Sequence, residues 1–146
     1  HDRRRATLIV FVVDASVTMA WCFEDEATEA TDAVLDRLRS ERALVPEIWP
    51  LEVANVLLVA QRRGRVSEAQ IGRFVRLLTQ LPVDVDETGP DIASLVALGR
   101  THALSSYDAS YLLLAERAGL PLATLDERLT RAATRAGVPL LIAPSA

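Results

Sequence analysis

Lysine is absent: all 16 basic residues of this 146-residue chain are arginines. That excludes two α/β classes whose sites combine strand-end acids with a lysine, the phosphate-accepting receiver domain and the haloacid-dehalogenase-type phosphatase. The second also wants Asp-x-Asp after its first strand, where this chain reads Asp14-Ala15-Ser16. Cysteine is nearly absent as well. A lone Cys22 rules out an internal disulfide framework and suggests no dependence on an oxidising compartment, so the cytoplasm is the expected location. Six glycines and seven prolines are too few for a fibrous or disordered chain. No apolar run approaches the ~20 residues of a membrane-spanning helix. Arg3, Arg4 and Arg5 before an apolar stretch imitate a secretory signal, with Cys22 as a lipid attachment point. Against that, Asp14, Ser16 and Thr18 interrupt the stretch, and Trp21 is bulky where processing sites need small residues. The net charge of −4 argues against a simple nucleic-acid binder, which carries a basic footprint.

What is present fits one domain, long enough to bury roughly two-thirds of its unfolded surface around a single core. Residues 1–6, which open on His1, are expected to be disordered or an artificial extension and are set aside. Residues 8–13 read as a buried strand: short, β-branched and continuously apolar. A helix follows to about Phe23, and a second runs from Ala27 to Ser40. Ala43–Val45 is a short strand candidate. Glu47 to about Arg63 is helical, with Pro50 tolerable only near its first turn. Ser67 with Gln70 predicts a capping box for a helix ending before Pro82. VDVDE (83–87) alternates as a strand, and DIASLVALGRTHA reads as a helix. Another helix follows in SSYDASYLLLAERAG, capped by Ser105 or Ser106 and stopped by Gly119. LATL (122–125) is a strand, DERLTRAATRAG a helix and VPLLIA (138–143) a last strand. This alternation implies helices around a mostly parallel sheet, with sites outside the carboxyl ends of the strands.

Asp14 follows the strand LIVFVV and Asp126 follows LATL, so both acids fall on one sheet edge. Glu52 and Asp108 lie near the starts of apolar helices, on or beside the buried stripe. Each acid alone has a bland explanation as a helix cap or a partner of the helix dipole. Four acids at one end of a sheet repel one another, and the usual remedies are shared protons or a bound cation. Oxygen ligands without His or Cys point to Mg²⁺ or Mn²⁺.

FVVDAS, PEIWPLEVANVL, LSSYDASYLLLA and LATLDERL, in this order and spacing, resemble the PIN-domain ribonucleases, in particular the VapC toxins of bacterial toxin–antitoxin pairs. The resemblance covers residues 9–143 and has four motifs in sequence. It implies a PIN-domain-like three-layer α/β/α sandwich with a mostly parallel central sheet, residues 1–146 forming a single domain. It further implies a Mg²⁺- or Mn²⁺-dependent endoribonuclease whose catalytic, metal-holding acids match Asp14, Glu52, Asp108 and Asp126. Ser16 and Thr124 match hydroxyl positions that orient carboxylates or metal-bound water, and Asn55 matches a frequent supporting position one turn after Glu52. Ser105 has a supporting role in the resemblance and a competing one as a helix cap. A cognate VapB-type antitoxin, an RNA substrate and a homodimer are the implied partners, with no membrane. With the four acids set aside, the remaining charge is neutral, so the arginines are free to cluster.

Candidate basic patches are Arg62, Arg63 and Arg65, and Arg37, Arg39 and Arg42, although charge at helix ends commonly just complements the dipole. Trp21, Phe23 and Trp49 read either as core or as a seat for an antitoxin helix. Tyr107 and Tyr111 read as packing, and His102 has no partner motif. The rival from another class is a PIN module that binds RNA or a protein without cutting.

Overall fold

The protein is described here by a computed structural model covering residues 8–144, so the expectation for residues 1–6 lies outside it. Strand β1 (Ile9–Val13) leads through α1 (Ala15–Cys22), a 3-10 turn (Glu24–Glu26) and α2 (Glu29–Arg37) to β2 (Arg42–Val45). Helices α3 (Ile48–Arg62) and α4 (Glu68–Gln80) connect to β3 (Val83–Val85). Then α5 (Ile92–His102) and α6 (Ser106–Ala118) lead to β4 (Leu122–Ala123) and α7 (Glu127–Ala136). The strands form one sheet in the order β3-β2-β1-β4, and every pair is parallel.

Strand order decides where a site can form. The crossovers β1–β2 and β2–β3 step in one direction and the β3–β4 crossover returns past β1, so right-handed connections put the two sets of helices on opposite faces. Packing agrees: α1 contacts α2 and α3, whereas α6 contacts α5 and α7. The chain leaves β1 and β4 toward different faces, which opens a crevice between their carboxyl ends. Asp14 and Asp126 follow those two ends.

β1 sits in the middle of the sheet, which explains its unbroken apolar run. Phe11, Val12 and Val13 are fully buried, packed with Val17, Tyr111, Leu112, Leu122 and Leu129. Ser67 and Gln70 form the reciprocal box expected of them at the start of α4. Thr28 and Thr31 build a second box at α2, which therefore begins two residues later than its apolar pattern suggested.

Two strand expectations need correction. LATL pairs only over Leu122–Ala123, because Thr124 and Leu125 leave the ladder for side-chain partners near Asp14. VPLLIA supplies only a bridge between Leu140 and Leu122, made by Leu122 N–H to Pro139 O at 2.9 Å and Leu141 N–H to Leu122 O at 2.9 Å. A two-residue β4 leaves no further ladder to extend.

Candidate active site

Asp14 is the N-cap of α1, and its Oδ1 accepts the Val17 N–H at 3.1 Å. It is only 5% exposed. Ser16 Oγ donates to the same Oδ1 at 2.6 Å, and Thr124 Oγ1 donates to Oδ2. Both hydroxyls also accept backbone N–H groups, from Leu125 to Ser16 at 2.9 Å and from Asp126 to Thr124 at 3.0 Å. Accepting an N–H leaves each hydroxyl proton to point at Asp14, so the orientation of both is fixed. The same two bonds clamp the β4–α7 connection onto the end of β1. Burial pushes Asp14 up to about 6, against the three hydrogen bonds that favour the ionised form, and Asp126 adds to the rise.

Asp126 caps α7, accepting the Leu129 N–H at 2.9 Å. Asp108 lies in the first turn of α6, half-buried, and its carboxyl is raised by burial and by Asp126, while Ser105 and the charge of Arg128 pull it down. Glu52 lies beyond the first turn of α3, so the helix dipole does not account for it. Burial raises its carboxyl, and Asp108 raises it further. The four acids thus form a chain of like charges, Asp14 to Asp126 to Asp108 to Glu52, each felt by the next.

Of the other residues singled out by sequence, Ser16 and Thr124 touch Asp14 directly, as described. Ser105 caps α6, accepting the Asp108 N–H at 3.1 Å. Asn55 is exposed on α3, and its side chain makes no hydrogen bond among the described residues. Trp49 is core: its Nε1–H donates to Thr18 Oγ1 at 2.9 Å, and Thr18 in turn donates to Asp14 O at 2.8 Å, which docks the Glu52 helix on α1. Trp21 donates to Thr31 O at 3.0 Å, and Phe23 stacks edge-on against Phe74.

Tyr111 is the residue that sequence reasoning missed. Its hydroxyl donates to Glu52 Oε1 at 2.5 Å, and its side chain is 1% exposed. Two signals pointed to it: Tyr111 lies one turn after Asp108 on the same helix face, and a buried phenol needs a hydrogen-bond partner. Burial, Glu52, Asp14 and Asp108 all drive its phenol upward, so it stays a donor.

The second basic patch is neutralised. Arg37 pairs with Glu41 at 2.8 Å, Arg39 with Asp36 at 3.0 Å and Arg42 with Asp84 at 2.6 Å. Arg65 is also taken, by Asp25 and Glu26, and lies over the Phe23 ring.

The donor set suits a hard divalent cation, since it is all carboxylate oxygen under mutual repulsion that a cation would relieve. Among the described residues no three acids, histidines or cysteines stand ready to ligate one ion directly. Mg²⁺ commonly keeps several of its waters, so the two observations are compatible.

The PIN-domain family model matches residues 11–135. The chain belongs to the PIN-domain family. Within it the chain is of the VapC type: it is 36% identical to Ribonuclease VapC3 of Mycobacterium tuberculosis over 123 residues, covering 83% of this chain and 85% of that protein. It is 30% identical to Ribonuclease VapC3 of Pyrobaculum aerophilum over 120 residues, covering 81% and 90%. Ribonuclease VapC12 of M. tuberculosis is 31% identical over 122 residues, covering 84% and 91%. The crystal structure of PAE2754 from P. aerophilum superposes with a TM-score of 0.69 at 26% identity, covering 87% of each chain. The sheet switch point of this PIN fold carries Asp14 and Asp126, which follow its two diverging strands.

Proposed function

We propose that this PIN domain, residues 1–146 as one unit, is a Mg²⁺- or Mn²⁺-dependent endoribonuclease. It would be the toxin of a VapBC-type toxin–antitoxin pair, working in the cytoplasm as a homodimer. The observation that carries the reading is Asp14, a buried carboxylate held by two oriented hydroxyls at the switch point, with Asp126 in its field.

Asp14 and Asp108 would hold the main ion, with Asp126 toward a second and Glu52 completing the cluster. A bound cation there supplies an activated water and relieves charge on the leaving oxygen of a phosphodiester. Ser16 and Thr124 keep both Asp14 oxygens in place. The one thiol of the chain does not compete for the role: Cys22 is buried, and burial together with Glu26 pushes it up to about 11. Among the described residues no helix is long and apolar enough to cross a membrane.

The test is incubation of the purified protein with total RNA and Mg²⁺ or Mn²⁺. The expected result is discrete cleavage that chelator abolishes and Asp14→Asn removes. RNA binding without cleavage under every divalent ion tried would favour the non-catalytic module instead.

A further inference from the structure

Glu52 differs from its three companions in how it is held. Asp14 is fixed by three hydrogen bonds, Asp126 by capping α7, and Asp108 by its place in the first turn of α6. Glu52 has a longer side chain with one more rotatable bond, and the only hydrogen bond to its carboxylate among the described residues comes from Tyr111. That bond joins residues 59 positions apart and links α3, from one face of the sheet, to α6, from the other. The Tyr111 ring is packed into the core, so the donor cannot follow a carboxylate that swings away.

We propose that Tyr111 is a positioning residue, whose hydroxyl fixes the Glu52 carboxylate and thereby sets the share that Glu52 takes in holding the catalytic cation. The inference rests on the metal-nuclease reading above. Without the hydroxyl, Glu52 samples several rotamers, and cation binding has to order it first. Partners of this kind, one bond removed from the ligands, typically tune metal affinity tenfold or more.

The experiment is a double-mutant cycle on the full chain with Tyr111→Phe and Glu52→Gln, read by Mn²⁺ titration calorimetry. Melting in chelator and steady-state cleavage of a short RNA accompany it. Tyr111→Phe should weaken Mn²⁺ roughly tenfold in the Glu52 background and leave it unchanged in the Glu52→Gln background. Cleavage should lose kcat while KM for RNA stays put, and the melting temperature in chelator should hold. An equal loss of Mn²⁺ affinity in both backgrounds, or no loss in either, overturns the proposal. So does a Tyr111→Phe chain that no longer folds in chelator, because the hydroxyl would then be a structural strut. Failure of the nuclease reading looks different: the wild-type chain binds Mn²⁺ and obeys the cycle yet leaves every RNA intact.

Discussion

At the scale of single residues, the site is held together at the expense of Asp14. Its carboxyl ionises near 3.8 in an unfolded chain and about 6 in the fold. Well below pH 3.8 both states are protonated and the group costs nothing. As pH rises through that window the unfolded chain ionises first, and stability falls by about 3 kcal/mol before levelling off above pH 6. Asp14→Asn should therefore abolish cleavage yet melt at the same or a higher temperature in chelator at pH 8, with the gain shrinking toward pH 4. Marked destabilisation at pH 8 would show that the cap on α1 outweighs the burial of charge. Cation binding needs the ionised form, so Mn²⁺ affinity of the wild-type chain should weaken as pH drops below about 6. Arg128 is the second residue with a specific expectation. It is exposed in the first turn of α7, makes no ion pair with any described residue, and places its charge against Asp108. A guanidinium beside an acid cluster is suited to a phosphate oxygen. Arg128→Ala should weaken RNA binding to the inactive Asp14→Asn chain and flatten its salt dependence by about 0.7 in log–log slope, one phosphate contact on a single strand. An unchanged slope would remove Arg128 from the RNA path.

At the scale of elements, Ser105 separates the cap from the catalyst. It receives the Asp108 N–H, and replacing such a cap costs about 1 kcal/mol. Ser105→Ala should lower the melting temperature by a few degrees and leave kcat near wild type; a tenfold loss of kcat with an unchanged melting curve would make Ser105 part of the chemistry. The elements themselves were largely legible beforehand because local chemistry matched the fold. IVFVV could only be a doubly buried strand, and Ser67 with Gln70 and Gly119 punctuated their helices as such residues do. Legibility failed where long-range partners overrode pattern. Thr124 and Leu125 look like strand residues, yet one hydroxyl and one N–H draw them to Asp14 and Ser16. The four acids stood out because two followed strands and two sat on apolar stripes. Tyr111 did not, because nothing local says that its hydroxyl meets a residue from the opposite layer. The arginine patches stayed undecided for a similar reason: the acids that neutralise Arg42 and Arg65 lie about 40 residues away in the chain.

At the scale of the whole molecule, the toxin reading proposed above requires that the acidic crevice be silenced by something that tolerates negative charge. An apolar groove runs between α3 and α4, lined by Trp49, Val53, Leu57, Val75 and Leu78, and the first three lie on the helix that carries Glu52. The expected antitoxin tail lays apolar side chains along such a surface and sends a basic residue, an arginine, toward the acids. Its guanidinium forks onto carboxylates there and takes the place of metal. Inhibition should then weaken as salt rises, because the contact that blocks the site is ionic. Replacing that arginine by alanine should restore cleavage at antitoxin concentrations that previously blocked it. Most of the affinity, carried by apolar burial, should survive. The measurement is cleavage and binding followed in parallel over a salt series. An antitoxin that seats far from Asp14 and Asp108 and leaves Mn²⁺ binding untouched would overturn this mechanism of inhibition while leaving the nuclease reading in place.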